Sequence, residues 1–115
     1  MMLVSVYDVP RGADILYQLL SERRPETFVS HETMPSREEH EQFVASIPFR
    51  YWYLLRIPTV NAETMGVGGH LYVGAIEVTD LNEIGVSILK RFQHMGFGRK
   101  AVEMFIATHA PLPPI

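Results

Sequence analysis

The 115-residue chain contains no cysteine. Disulfide staples, thiolate nucleophiles and zinc–thiolate centres are therefore excluded. It also lacks any run approaching the ~20 apolar residues that a membrane span needs, so no membrane partner is expected. The five histidines, His31, His40, His70, His94 and His109, share no His-x-x-x-His spacing, and no metal site is expected. Positive charge is scarce as well. Ten Lys and Arg stand against thirteen Asp and Glu, a net charge of −3, which argues against an extended nucleic-acid footprint. The N-terminus, Met1 to Asp8, has no basic n-region and reads as a strand rather than a signal peptide. Together with the missing cysteines this is compatible with a cytoplasmic protein.

What is present fits one domain spanning residues 1–115. Apolar residues make up 47% and charged residues 20%, a balance that supports a single buried core. Met2 to Val9 is apolar with β-branched and aromatic residues, a strand ended by Pro10-Arg11-Gly12. Ala13 to Arg23 carries Ile15, Leu16, Leu19 and Leu20 at helical spacing, and Pro25 stops it. Ser36-Arg37-Glu38-Glu39 is a capping box, predicting a helix to about Ser46 that buries Phe43, Val44 and Ile47.

Arg50 to Ile57 reads as a buried strand, and Pro58 to Gly69 as a long glycine-bearing turn. His70 to Thr79 is predicted as a strand with Leu71, Val73, Ala75, Glu77 and Thr79 on one face. His70, Tyr72, Gly74, Ile76 and Val78 take the other face. Asp80-Leu81-Asn82 is a tight turn, so Glu83 to Leu89 returns antiparallel. Gly98 to Thr108 completes the pattern as a helix with Ala101, Val102, Phe105 and Ile106 inward. The order β-α-α-β-β-β-α predicts an α/β or α+β fold with a mainly antiparallel central sheet flanked by helices.

The chemistry concentrates in Gln93-His94-Met95-Gly96-Phe97-Gly98, followed by Arg99 and Lys100, between the last strand and the last helix. Glycines let the backbone curl so that successive N–H groups face one point. The first turn of the helix adds unpaired N–H groups and partial positive charge. With Arg91, Arg99 and Lys100 nearby, this pattern suits a phosphate or pyrophosphate. It is neither a P-loop nor a dinucleotide fingerprint, because the required glycines and the Lys-Ser/Thr pair are missing. The plain alternative is an ordinary strand-to-helix turn.

Gln93, Gly96 and Gly98 fill the Gln/Arg-x-x-Gly-x-Gly/Ala signature, and in its strand–loop–helix context the chain resembles the GNAT family of N-acetyltransferases over about residues 1–109. The resemblance implies acetyl-CoA as cofactor and a small-molecule or peptide amine as acceptor. It implies that main-chain amides of Gln93, His94, Met95, Gly96, Phe97, Gly98 and Arg99 hold the CoA pyrophosphate. The backbone of Val86, Ser87 and Ile88 would pair with the pantetheine arm. Glu83 is the first candidate for the base that deprotonates the amine, and Glu77 the second; the ordinary role of each is a solvated carboxylate. Acceptor selection would fall to Phe28 to Phe49, where Glu32, Glu38 and Glu41 could favour a cationic amine.

Family members continue past this helix with further strands and a tyrosine that protonates the thiolate. Here Ala107 to Ile115 hold three prolines and no tyrosine. The resemblance thus implies a short member or a partner that fills the gap, and an exposed sheet edge that predicts a homodimer. The alternative function is a non-catalytic CoA-binding or dimerisation module of the same fold.

Overall fold

The computed structural model describes residues 1–22, 34–58 and 69–115. The expectations for the turn at Pro58 to Gly69, and for Phe28 to Glu32 in the acceptor region, fall largely outside these residues. In chain order the elements are β1 (Met2–Ser5), α1 (Gly12–Ser21), α2 (Arg37–Ala45), β2 (Tyr51–Pro58), β3 (His70–Val78), β4 (Ile84–Ile88) and α3 (Phe97–His109). The four strands form one sheet in the order β1-β2-β3-β4, every pair antiparallel. The fold is α+β, as the element order implies.

Helices cover both faces. Leu16 and Leu19 of α1 and Val44 of α2 pack with Trp52, Leu54, Ala75 and Leu89 on one side. Ala101 and Phe105 of α3 pack with Leu55, Val73, Ile76 and Val78 on the other. Burying such side chains contributes about 1.5–3 kcal/mol each, so the two clusters dominate the stability of the sandwich.

Local chemistry sets the boundaries. The capping box forms as read: Glu39 N–H donates to Ser36 Oγ at 3.1 Å, and Ser36 N–H donates to the Glu39 carboxylate at 2.8 Å. The first strand is shorter than expected. It ends at Ser5, whose hydroxyl accepts from Tyr7 N–H and starts a 3-10 turn over Val6–Asp8. Phe43 and Ile47 are not buried, at 49% and 65% exposure, and Ile106 is 48% exposed. Phe43 instead stands edge-on to Phe49 and Trp52 at the rim of the core.

The expected alternation along β3 holds only in part. Leu55 of β2 faces Gly74, but Arg56 faces Tyr72, so Val73 is an extra residue at a bulge. The bulge puts Val73 into the α3 cluster while Ala75 stays in the α1–α2 cluster. On the other side of β3, Gly74 allows β4 to approach closely. A Cβ there would lie 2.2 Å from the Ser87 carbonyl oxygen and 3.1 Å from Ile88 Cα.

Candidate functional site: the free edge of β4 and the loop that follows it

β4 is an edge strand, and its hydrogen bonds determine which groups it offers. Thr79 N–H donates to the Glu83 carbonyl and Leu89 N–H to the Val73 carbonyl. In an antiparallel ladder both main-chain groups of a residue point the same way, and the direction alternates. Glu83, Gly85, Ser87 and Leu89 therefore turn their main chain toward β3. Ile84, Val86 and Ile88 turn theirs outward, along an edge that no other described residue pairs with except at the Ile88 carbonyl. Of the three residues expected to meet a pantetheine arm, Val86 and Ile88 face that way. Ser87 does not, because its main chain faces Ala75. Ile84 joins the outward set, which counting alternate residues from the Asp80–Asn82 turn would have revealed.

Beyond Ile88 the chain makes a 3-10 turn over Lys90–Phe92 and then the loop. Phe92 N–H returns to the Leu89 carbonyl and Gln93 N–H to the Lys90 carbonyl. The Gln93 amide is thus engaged. Its side chain donates from Nε2 to the Ile88 carbonyl at 3.0 Å, bracing the loop against the strand. His94 and Gly96 are left-handed, with φ of 66° and 84°. This backward curl ends in Gly96, the N-cap of α3, whose carbonyl accepts from Lys100 N–H. Gln93 and His94 form a turn that Met95 N–H closes from its far side. Among the described residues, the N–H groups of His94, Gly96, Phe97, Gly98 and Arg99 have no hydrogen-bond partner. His94, Met95, Gly96 and Arg99 are exposed, and Met95 is 64% so.

α3 brings this curl over the strand. A Cβ on Gly98 would lie 3.6 Å from Val86 and 3.9 Å from Ile88, so the helix start rests on the outward-facing residues of β4. The outward N–H groups of β4 and the N–H groups of the loop therefore line one continuous margin of the molecule. Such a margin, with the partial positive charge of a 13-residue helix at its end, favours an anion with an extended polar arm.

The cations are distributed around the loop. Lys90, Arg91, Arg99 and Lys100 are all exposed. The Arg91 guanidinium lies 4.8 Å above the Phe92 ring. Arg99 pairs with Glu103 at 3.1 Å, one helical turn along, which spends part of its charge within α3. The Lys90 N–H reaches Glu22 Oε2 at 3.3 Å and ties the loop base to the end of α1.

The two candidate bases sit at the other end. Glu83 precedes β4 and is exposed; its N–H donates to Thr79 Oγ1 at 3.1 Å. At about 3.3 Å per strand residue, Glu83 and Ile88 are roughly 16 Å apart. Glu77 is opposite Gly85, and its carboxylate oxygens lie 3.0 and 3.1 Å from where a Gly85 Cβ would be. Glu77 also pairs with Trp52 in the register of β2, so it stands on the α1–α2 face rather than beneath α3. The structure thus brings the amides together and leaves the carboxylates at the head of the strand.

A second polar pair escaped the sequence reading. The Tyr53 hydroxyl and His109 Nε2 are 2.8 Å apart on the α3 face. His109 Nδ1 lies 3.1 Å from the Phe105 carbonyl, which can only accept, and 2.7 Å from Thr108 Oγ1, which itself reaches the Met104 and Phe105 carbonyls. These acceptors favour the tautomer with the proton on Nδ1, in which Nε2 accepts from Tyr53. Burial, with Tyr51 alongside, raises the Tyr53 hydroxyl above its ordinary value. Tyr53 is two strands from the edge, with Ile76 between it and Val86 in the ladder.

No group of His, Cys, Asp and Glu among the described residues is arranged to hold a metal ion. No helix among them is long and apolar enough to cross a membrane. Family models, curated proteins and solved structures give no match to this chain.

Proposed function

We propose that the margin formed by β4 and the following loop binds acetyl-CoA, and that the chain is an acetyl-CoA-dependent N-acetyltransferase. One observation supports this reading above the others. Among the described residues, five unpartnered amides, those of His94 and of Gly96 to Arg99, adjoin a strand edge whose outward main-chain donors have no partner either. The diphosphate of coenzyme A suits the first feature. Its pantetheine arm, with two amides and no charge, suits the second, because it can pair with an edge as a strand does.

In that pose the arm runs back from the loop along Ile88, Val86 and Ile84 and carries the thioester toward the head of β4. The outward N–H of Val86 or Ile84 would donate to the thioester oxygen and stabilise the charge that develops there. A neutral amine then attacks the carbonyl carbon. The C–S bond breaks, the nitrogen loses a proton to Glu83, directly or through water, and the thiolate takes up a proton from solvent. Glu77, opposite Gly85 on the α1–α2 face, is the second candidate base. The acceptor is an amine of a small molecule or a peptide.

Isothermal titration of the folded chain with acetyl-CoA and CoA tests the binding, and acetylation of a broad amine panel tests the chemistry. Binding that 3′-dephospho-CoA largely retains but pantetheine alone loses is the expected pattern. No heat and no protection against unfolding at millimolar CoA would remove the proposal.

A further inference from the structure

The same edge has a second property. Asp80 and Glu83 are exposed at the head of β4, and Lys90 and Arg91 are exposed at its tail. Arg50, 3.8 Å from the Asp80 carboxylate, offsets part of the charge at the head, and Glu22, whose carboxylate accepts from the Lys90 N–H, offsets part at the tail. The balance is one net negative charge at the head and one net positive charge at the tail. The strand between them, Ile84–Ile88, carries no charge. Charge therefore changes sign along the edge, and only one self-pairing direction matches opposite signs.

We propose that β4 pairs with β4 of a second copy of this chain, antiparallel, about a twofold axis at Val86. In this register Val86 faces its own counterpart, and Ile84 of each copy faces Ile88 of the other. These are the residues whose main-chain groups point outward, so each pair exchanges two hydrogen bonds. The Ile88 carbonyl already accepts from Gln93, and its second lone pair serves the partner. The turn bearing Asp80 and Glu83 of one copy comes beside the turn bearing Lys90 and Arg91 of the other, twice by symmetry. A parallel arrangement would set acid against acid and base against base. Ile84, 36% exposed, would be covered in the process.

The other sheet edge offers no such direction. β1 is four residues long, and Met1 to Tyr7 carry no charged side chain to set a register. The pairing stands independently of the coenzyme reading. It uses the same outward groups, so on that reading a second copy and a pantetheine arm exclude one another.

Sedimentation equilibrium of the full chain without nucleotide tests the proposal, with two double charge reversals, Lys90→Glu with Arg91→Glu and Asp80→Lys with Glu83→Lys. All four side chains are exposed, and the Asp80 contact with Arg50 is a loose 3.8 Å, so circular dichroism of each variant should match the parent. An Asp80→Ser with Glu83→Ser variant separates lost attraction from new repulsion beside Arg50. The parent is expected to be a dimer. Each reversal should weaken self-association by roughly tenfold or more, because like charges then oppose each other across the axis. An equimolar mixture of the two variants should restore the dimer, since every head then meets a tail of opposite sign. A monomeric parent at millimolar concentration, reversals that leave its mass unchanged, or a mixture that stays monomeric would each overturn the proposal.

Discussion

The side-chain amide of Gln93 donates to the main-chain carbonyl of Ile88 across 3.0 Å, joining the loop to the last residue of the strand before it. Replacing Gln93 with Glu removes the donor and sets a carboxylate against a carbonyl. An exposed hydrogen bond is worth about 0.5–1.5 kcal/mol, and the repulsion adds to its loss. Denaturant unfolding of Gln93→Glu should show a loss of about 1 kcal/mol. CoA affinity should fall further than stability, because the loop no longer presents its amides in one orientation and a negative charge now stands near the diphosphate. An unchanged titration would mean the loop does not hold the ligand.

Gly96 and Gly98 should respond differently to the same change. Gly96 has φ +84° with open space where a Cβ would go, so its constraint is the backbone alone. An alanine there costs about 1–2 kcal/mol in the left-handed region. Gly98 lies in the helix, and its added methyl meets Val86 and Ile88 at ordinary contact distance. Gly98→Ala should be neutral or stabilise by up to about 1 kcal/mol. The proposed coenzyme site needs the left-handed curl at Gly96 and only a helical residue at Gly98, so Gly98→Ala should keep CoA binding and Gly96→Ala should lose it. Thermal unfolding with and without CoA reads both.

Gly74→Ala is expected to be the most damaging single methyl. Its Cβ would press on the Ser87 carbonyl, which is main chain and cannot swing aside. β3 and β4 must separate at this point, at a cost of about 3 kcal/mol or more. The expected readout is a large drop in melting temperature. A variant that melts with the parent would show that β3 and β4 are not apposed as described.

His40 gives the protein an acid-sensitive joint. It is 6% exposed between α1 and α2, its Nε2 is 3.0 Å from the Ala13 carbonyl, and its ring packs against Tyr17. Burial lowers its pKa below the ordinary imidazole value; the Ala13 carbonyl opposes this, and Arg37, Glu41 and Asp14 act in smaller measure. Because the folded-state value is the lower one, the unfolded chain binds more protons as pH falls past about 6.5. The stabilising effect is complete above that pH and is lost as pH drops toward the folded-state value. Asp14 is lowered too, first by its hydrogen bond from Arg11, but it acts only below about pH 4. Urea midpoints from pH 7.5 to 5 should therefore fall for the parent and fall less for His40→Gln, which keeps a donor and does not titrate.

Periodicity and punctuation were enough to place most elements, because their signals are local. Ser36 and Glu39 close a ring within one turn, and the short Asp80–Asn82 turn forces its two strands to be antiparallel. The errors came from tertiary choices. An apolar residue at helical spacing is free to lie on the rim of the stripe, as Phe43 and Ile106 do. One extra residue at Val73 reverses the face of everything before it, and no local pattern announces it. At the site, the run Gln93 to Gly98 was legible as a curl of donors. The partners of individual groups were not, since the bonds from Gln93 to Lys90 and Ile88 depend on the 3-10 turn between them.

The bond between Tyr53 and His109 anchors the last turn of α3 to the second strand, while the first turn is held by packing alone, Phe97 against Phe92 and Gly98 over Val86 and Ile88. A rod pinned at its tail can pivot but not slide. Any adjustment of the donor curl to a bound anion is then a tilt of α3 about His109, largest at Gly96 and vanishing at the pinned end. Tyr53→Phe would unpin that end and let the helix drift along its axis, changing how tightly the margin closes without touching a single residue that lines it.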